Sequence, residues 1–334
     1  MKRRTICLLL LLLFLIPIHA VSATEQTVPL SEAAIVIDYE TGEILYSRNI
    51  DTQLVPASLT KIMTAYIIYE EIAAGNLTKD SLIPISPNAF YMNTVIDNRA
   101  PFSEGASYTV HTFLQLLFLP SSNSGTLAIA EYISGTQEAF AERMNETAAH
   151  LGMNAQYETP HGLWGDNQKT AHCVAILIRH FIRSHPDVLQ YSSLESFLFY
   201  DTAYFNINRL IFDSQEIDGF KTGATVAAGY CLATTAVRDG QRIIIVTMNA
   251  PSRDAAFEDS QTLLAYGFAE LESRNHTAIS LEVPDDIPEE AVEEDAIVSP
   301  LHLGIVIGIL AVVVVILGIG IFIVISSVLK KRKK

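Results

Sequence analysis

Short runs of apolar and β-branched residues near both ends of the central chain predict β-strands. Residues 33–39 and 44–46 flank the polar turn sequence Glu-Thr-Gly-Glu, so we expect a β-hairpin there. Residues 230–236 and 243–248 form a second pair of such runs. Together these strands predict one antiparallel sheet that is built from both ends of the chain around the residues between them.

The middle of the chain has a helical pattern instead. Four apolar residues recur at intervals of three or four positions: Phe140, Met144, Ala148 and Leu151. Gly152 is expected to end that helix, and residues 257–268 predict a final one. We therefore predict a mixed α/β fold of the α+β type, in which an antiparallel sheet is flanked by helices and carries a helical insertion.

Both ends of the sequence are apolar. Residues 1–23 contain three basic residues, an apolar run and small residues at a cleavage site, which is typical of a secretory signal peptide. Residues 301–329 contain no charged side chain and, as a helix, are long enough to cross a bilayer. The basic tail, residues 330–334, should then stay in the cytoplasm, and residues 24–272 should form a domain outside it. The sequence thus predicts a single-pass protein of the cell membrane whose main domain is extracytoplasmic.

Net charge becomes informative once these ends are removed. The sequence has 22 Lys and Arg residues against 37 Asp and Glu residues, a net charge of −15. Eight of the basic residues and none of the acidic ones lie in the two apolar ends, which leaves a net charge of −23. A balance this acidic excludes nucleic acid as a partner. The acidic, proline-containing residues 273–300 predict an extended stalk that is too short for a β-sandwich of ~100 residues.

Three other patterns carry less information. Gly304 and Gly308 have the GxxxG spacing of paired membrane helices, but glycine is common in such helices, so the spacing allows dimerisation without predicting it. Cys173 and Cys231 could form one disulfide outside the cell, although two buried free thiols are the favoured interpretation. The nine histidines show no paired ligand spacing, so no metal site is predicted.

Three short motifs carry the chemistry of the chain. In order, they are Ser58-Leu59-Thr60-Lys61, Ser121-Ser122-Asn123 and Lys221-Thr222-Gly223. The first precedes an apolar helical stretch, so Ser58 should lie in the first helical turn with Lys61 on the same face. A serine hydroxyl is a poor nucleophile until a base takes its proton, and a lysine can do so only if burial and nearby positive charge lower its pKa. Lys221 is the candidate for that charge. The ordered trio predicts an enzyme that acylates its own serine.

Residues 33–268 resemble the D-alanyl-D-alanine carboxypeptidases, low-molecular-mass penicillin-binding proteins of serine peptidase family S11. Beyond the trio, the resemblance rests on Ala34-Ile35-Val36-Ile37-Asp38, Asn206-Ile207-Asn208-Arg209-Leu210, Asp218-Gly219-Phe220 and Ala250-Pro251-Ser252-Arg253. It implies a β-lactamase/transpeptidase-like architecture and no cofactor. It also implies removal of the terminal D-alanine from peptidoglycan stem peptides, with β-lactam antibiotics as covalent inhibitors.

The resemblance also implies a role for each motif residue. Ser58 would be the acylated nucleophile, Lys61 its general base, and Ser121 a relay that carries a proton to the leaving D-alanine. The implied substrate-binding residues are Asn123, Lys221, Thr222, Gly223, Ala224 and Thr225. The asparagine would hold a peptide carbonyl, the lysine and the two threonines would meet the terminal carboxylate, and the glycine would admit the substrate backbone. The backbone N–H groups of Ser58 and Ala224 would form the oxyanion hole.

The sequence departs from the family pattern at several positions. Ser124-Gly125 stands where relatives usually have Asp-Ala, which we expect to alter helix capping more than catalysis. His161 is expected to be a structural residue. Ala256 occupies a position where relatives frequently carry an arginine that helps to bind the terminal carboxylate, so carboxylate recognition is less secure than acylation.

Other functions stay open at this point. The nearest are a peptidoglycan DD-endopeptidase and a β-lactamase-like hydrolase, although no Glu-x-x-Leu-Asn segment for a deacylating carboxylate lies between Asn123 and Lys221. A non-catalytic, membrane-anchored penicillin-binding scaffold or receptor is an alternative of another class. Only five residues follow the predicted membrane helix, which is too few for a cytoplasmic signalling domain.

Overall fold

A computed structural model describes residues 28–97 and 99–281. The predicted signal peptide (1–23), membrane helix (301–329), Gly304 and Gly308 within it, and basic tail (330–334) lie outside these residues. Within the described ranges, no helix is long and apolar enough to span a bilayer.

Five strands form the main sheet. They are β1 (Ala33–Asp38), β2 (Ile44–Arg48), β7 (Ile217–Thr225), β8 (Gly229–Arg238) and β9 (Gln241–Ala250), and two smaller sheets contain β3 (Leu82–Pro84), β4 (Ser107–Thr109), β5 (Ser196–Phe199) and β6 (Thr202–Phe205). The order in the main sheet is β2-β1-β9-β8-β7, with antiparallel pairing throughout. The predicted hairpin and the antiparallel sheet are confirmed. The smaller sheets were not predicted, because strands of three or four residues show too little periodicity.

Alternate residues of β1 pack into two different cores, as the pleat of a strand requires. Ala33, Ile35 and Ile37 contact the core between the sheet and the helical insertion. Ala34 and Val36 contact a smaller core on the other face of the sheet. Because β1 is covered on both faces, its sequence reads as a continuous apolar run.

The insertion between β2 and β7 is mainly helical. Its helices are α1 (Lys61–Ala73), α2 (Pro87–Met92), α3 (Val110–Phe118), α4 (Asn123–Ser134), α5 (Gln137–His150), α6 (Ala171–Ser184), α7 (Leu189–Ser192) and α8 (Leu210–Asp213), and α9 (Arg253–Leu281) follows the last strand. Helix α1 is buried from Lys61 to Tyr69, so it has no solvated face over that length. Residues 57–60, which precede this helix, pack against β7, so its N-terminus lies where the insertion meets the sheet.

Two element boundaries differ from the prediction. Ser58 lies in a 3₁₀ turn, Ala57–Thr60, and the α-helix begins only at Lys61. Helix α9 begins at Arg253 and continues to Leu281, beyond the predicted range of 257–268. The first residues of the predicted stalk, 273–300, are therefore helical and not extended.

Candidate active site

The 3₁₀ turn brings Ser58 and Lys61 into direct contact. Side chains three residues apart are eclipsed in a 3₁₀ helix, so the two project from the same side of the turn. Lys61 Nζ lies 2.9 Å from Ser58 Oγ. Ser58 also lines a cleft at this end of α1, so its hydroxyl is accessible to a ligand.

Two glycines allow this turn to pack tightly against its surroundings. A Cβ atom on Gly162, which has φ +70°, would overlap the Ala57 carbonyl oxygen and stand 2.5 Å from Thr60 Oγ1. A Cβ atom on Gly223 in β7 would stand 2.8 Å from the Pro56 carbonyl oxygen. The turn that carries Ser58 thus requires a glycine at position 223, which is a second reason for this residue besides the close approach of a substrate backbone.

Lys61 is completely buried and makes two further polar contacts. Its Nζ atom lies 2.6 Å from Asn123 Oδ1 and 2.9 Å from the His161 carbonyl oxygen. Burial lowers the pKa of Lys61 to about 7, with the Asp97 carboxylate opposing that effect and the Arg99 guanidinium adding to it. A lysine in this state can be neutral at physiological pH, which is the form that can accept a proton.

Lys221 is the second buried lysine beside the nucleophile. Its side chain is fully buried on the edge strand β7, and its Nζ atom lies 3.2 Å from the Thr222 carbonyl oxygen. Burial holds its pKa well below the usual range, and the charges of Lys61 and Arg99 lower it further. The positive charge that lowers the pKa of Lys61 comes from Arg99, a residue outside the three motifs.

Ser121 precedes α4 in a left-handed backbone conformation, with φ +61°. That region is uncommon for residues other than glycine and is a form of local strain. Its side chain is buried, and among the described residues its hydroxyl oxygen has no hydrogen-bond partner. Ser121 lines the cleft together with Ser58, and its hydroxyl is not engaged by any other described group.

The second motif is anchored by Asp97, the last residue of the π-helical turn that follows α2. Its Oδ1 atom accepts a hydrogen bond from Asn123 Nδ2 at 3.0 Å, which leaves Asn123 Oδ1 to face Lys61. Asp97 and Arg99 are functional candidates that the sequence motifs do not contain. No spacing or motif in the sequence marks them, because they reach the site only through tertiary contacts.

His161 takes part through its backbone. Its carbonyl oxygen accepts the Lys61 hydrogen bond, while its ring Nδ1 accepts one from the Leu163 N–H at 3.0 Å and its ring packs edge-on against Trp164. Burial, and then the Lys61 charge, lower the pKa of His161 to about 3, so the ring is neutral at physiological pH. These contacts are those of a structural residue.

The cleft brings most of the predicted residues together. Its lining includes the predicted residues Ser58, Ser121, Thr222, Gly223 and Ala224. Six other residues of the lining are Arg99, Ile207, Tyr230, Arg253, Ala256 and Phe257. Three predicted residues lie behind this lining: Lys61 contacts Ser58, Asn123 contacts Lys61 in turn, and Lys221 contacts the Thr222 carbonyl oxygen. Thr225 does not line the cleft, and its hydroxyl accepts a hydrogen bond from the Ala228 N–H at 3.0 Å.

Both described cysteines are free and buried. Cys231 lines the cleft from β8, and burial raises the pKa of its thiol to about 12. A thiol in that state is mostly protonated and therefore a poor nucleophile at neutral pH. Within the described ranges, no group of histidine, cysteine and acidic side chains could hold a metal ion.

Comparison with known proteins identifies the family. Residues 20–252 match the family model described as D-alanyl-D-alanine carboxypeptidase, peptidase S11. The D-alanyl-D-alanine carboxypeptidase DacA of Haemophilus influenzae is 32% identical over 266 residues, which is 78% of this chain and 67% of that protein. The chain spans about two thirds of the length of the curated relatives that it matches.

Solved structures agree with this match. Penicillin binding protein 5 from Haemophilus influenzae has a TM-score of 0.70 at 31% identity, with 72% of each chain covered. Penicillin-Binding Protein D2 from Listeria monocytogenes, in its ampicillin-bound form, has a TM-score of 0.66 at 27% identity, with 72% of this chain and 99% of that chain covered. Because the family model covers well over half of the sequence, the chain belongs to the D-alanyl-D-alanine carboxypeptidase family, peptidase S11.

Proposed function

We propose that this protein is a serine-type D-Ala-D-Ala carboxypeptidase that removes the terminal D-alanine from peptidoglycan stem peptides through an acyl-enzyme on Ser58. The observation that carries the proposal is the contact of 2.9 Å between Ser58 Oγ and the buried Lys61 Nζ, whose pKa is lowered to about 7. Family membership supports the same reaction.

Acylation begins with proton transfer. Neutral Lys61 takes the hydroxyl proton of Ser58 as Oγ bonds to the carbonyl carbon of the penultimate D-alanine. General base catalysis of this kind contributes about 10²- to 10⁴-fold to a rate. The oxyanion that forms is held by the N–H groups of Ser58 and Ala224, and one such donor is worth about 10²- to 10³-fold. As the C–N bond breaks, the proton that Lys61 took from Ser58 passes through the Ser121 hydroxyl to the leaving amine, so Lys61 is neutral again.

Deacylation restores the enzyme. A water molecule attacks the ester carbon, gives a proton to Lys61, and releases the shortened peptide as Ser58 regains its hydroxyl proton. The amide of Asn123 holds the peptide carbonyl of the substrate while its own oxygen faces Lys61. The substrate is thus held between β7 and the start of α4.

Carboxylate recognition rests on fewer groups than in relatives. Ala256 lines the cleft where an arginine is frequent in the family, and Ile207 is a second apolar residue of the same lining. Lys221 and Thr222 supply charge and a hydroxyl from β7. Arg253 also lines the cleft, and its guanidinium is the group that we assign to the terminal carboxylate.

β-Lactam antibiotics should acylate the same serine, since a strained lactam presents its carbonyl carbon as the peptide does. The ampicillin-bound form of the similar Listeria protein supports this assignment. The basic and apolar ends of the sequence support an extracytoplasmic enzyme held at the cell membrane by residues 301–329.

The test is release of D-alanine from a stem pentapeptide by the full-length protein in detergent. We expect release by the wild type and none by Ser58→Ala. Acylation of Ser58 by penicillin without D-alanine release would contradict the proposal and point instead to an endopeptidase that cuts crosslinks, or to an acyl transferase.

A further inference from the structure

The side chain of Asp97 is a buried carboxylate at the N-terminus of α4. It is 1% exposed, and its Oδ2 atom accepts hydrogen bonds from the backbone N–H groups of Asn123 at 2.7 Å and Ser124 at 3.1 Å. The Ser122 and Ser124 hydroxyls lie 3.2 and 3.3 Å from the same oxygen. A negative charge here is favourable, because the first N–H groups of a helix have no intrahelical acceptor.

The Asp97 carboxylate takes the place of the aspartate that relatives usually have at the position of Ser124, in the first turn of α4. Position 124 is a serine, and its N–H and hydroxyl both donate to Asp97. The acceptor therefore comes from a segment 27 residues upstream, at the end of the π-helical turn Asn93–Asp97.

Asp97 also fixes the orientation of the Asn123 amide. An ionised carboxylate can only accept hydrogen bonds, so the group that faces Asp97 Oδ1 must be the amide nitrogen. That contact is 3.0 Å long, and it leaves the amide oxygen to face Lys61 Nζ at 2.6 Å. If the amide rotated by half a turn, it would present its N–H groups to the lysine and remove one of its acceptors.

We propose that Asp97 is a positioning residue for acyl transfer, which acts by fixing the Asn123 amide against Lys61 and by balancing the positive charge around that lysine. This inference rests on the proposed acylation of Ser58 and assigns a role to a residue that does not contact the substrate. It also explains why the Ser124 departure is compatible with a working site.

The charges that face Lys61 come from several elements. Arg99 Nε lies 3.2 Å from Asp97 Oδ1, and its guanidinium lowers the pKa of Lys61. Lys221 approaches from β7, and its own pKa is lowered by Lys61. His161 lies on the loop before α6 and is neutral at physiological pH, because its pKa is lowered to about 3. The negative charge that opposes these cations is that of Asp97.

The test measures acylation of the full-length protein by labelled penicillin between pH 5 and 9. Asp97→Asn keeps the shape but removes the charge, and its amide nitrogen opposes that of Asn123. We expect the maximal acylation rate to fall by about 10- to 100-fold, since misplaced catalytic groups cost factors of this order. The pH of half-maximal rate should move to lower values, because Lys61 loses its counter-charge.

A second variant tests the charge effect while keeping the Asp97 carboxylate; glutamine was chosen because Arg99 Nη1 also donates to the Pro120 and Ser121 carbonyl oxygens, at 3.0 and 3.2 Å, and an amide keeps a donor there. Arg99→Gln leaves Asp97 in place and should move the half-maximal pH upward, opposite to Asp97→Asn. Asp187→Asn is the matched control, because Asp187 forms an ion pair with Lys79 at 2.6 Å and is not part of the site. This variant should change neither the acylation rate nor its pH profile. A purely structural role for Asp97 would not produce shifts of opposite sign.

The outcomes separate this inference from the proposed function. Wild-type protein that forms no adduct on Ser58 would overturn the proposed function. Wild-type protein that is acylated, with an unchanged rate and pH profile in Asp97→Asn, would overturn the role of Asp97 alone. If Asp97→Asn does not fold, Arg99→Gln decides: an upward shift supports the charge balance, and an unchanged or lowered half-maximal pH contradicts it.

Discussion

Replacing Arg253 should weaken recognition of the substrate's terminal carboxylate. Arg253 opens helix α9 and lines the cleft together with Ala256, one helical turn further on. The neighbouring Arg209 is already paired, with its guanidinium 2.7 Å from Asp254 Oδ1. Arg253→Ala would therefore leave the carboxylate to Lys221 and Thr222.

The size of the effect follows from the kind of contact that is lost. A hydrogen bond to a charged group contributes about 1.5–3 kcal/mol, which corresponds to roughly a 10- to 150-fold change in kcat/KM. The loss should fall mainly on KM, because the carboxylate is bound in both the ground state and the transition state. The assay is D-alanine release from a stem pentapeptide across a range of substrate concentrations.

A charge-restoring variant sharpens this test. Ala256 lies 4% exposed in the cleft lining, so an arginine at 256 would have to extend into the cleft. In the Arg253→Ala background, Ala256→Arg should recover most of the lost kcat/KM, whereas in the wild type the two like charges would repel and the gain should be smaller. Arg238→Ala is the matched control, because Arg238 pairs with Glu216 at 2.7 Å away from the cleft. An unchanged kcat/KM in Arg253→Ala would refute the assignment of this guanidinium to the carboxylate.

Three further predictions concern the nucleophile and its turn. Labelled penicillin should form a long-lived adduct on Ser58 that Ser58→Ala abolishes; rapid release of hydrolysed penicillin in the wild type would indicate a β-lactamase instead. The acylation rate should rise with pH through about 7, since Lys61 acts only when deprotonated and its pKa is lowered to about 7; a flat profile from pH 5 to 9 would contradict this. Gly162→Ala should destabilise the fold by about 3 kcal/mol or more, through a strained φ and a clash with the Ala57 carbonyl. Gly75→Ala is the control, because Gly75 has φ +77° and open space around it, so this variant introduces the backbone strain without a clash. Equal decreases in melting temperature for both glycine variants would rule out the clash.

Local sequence patterns were sufficient to predict the main sheet and the motif residues, but not the residues that contact those motifs in the fold. Residues 33–37 of β1 and 243–248 of β9 are continuous runs of apolar or β-branched residues, so these strands were predictable. Ser58 was predicted to lie in an α-helix because side chains three residues apart, such as Ser58 and Lys61, share a face in an α-helix as well as in a 3₁₀ turn. Asp97 could not be identified, because its contacts with α4 join residues 26 and 27 positions apart and no motif marks it.

The pairing of β1 with β9 has a consequence for the order of folding. Val36 lies opposite Ile245, so the centre of the sheet joins residues more than 200 positions apart in the chain. Until β9 is available, β1 has β2 on one edge and an unsatisfied edge on the other. Contacts this distant in sequence form slowly, because the entropy of closing the intervening loop must be overcome first. The helical insertion can thus gain local structure early, whereas the sheet that forms one wall of the cleft is completed among the last elements of the domain.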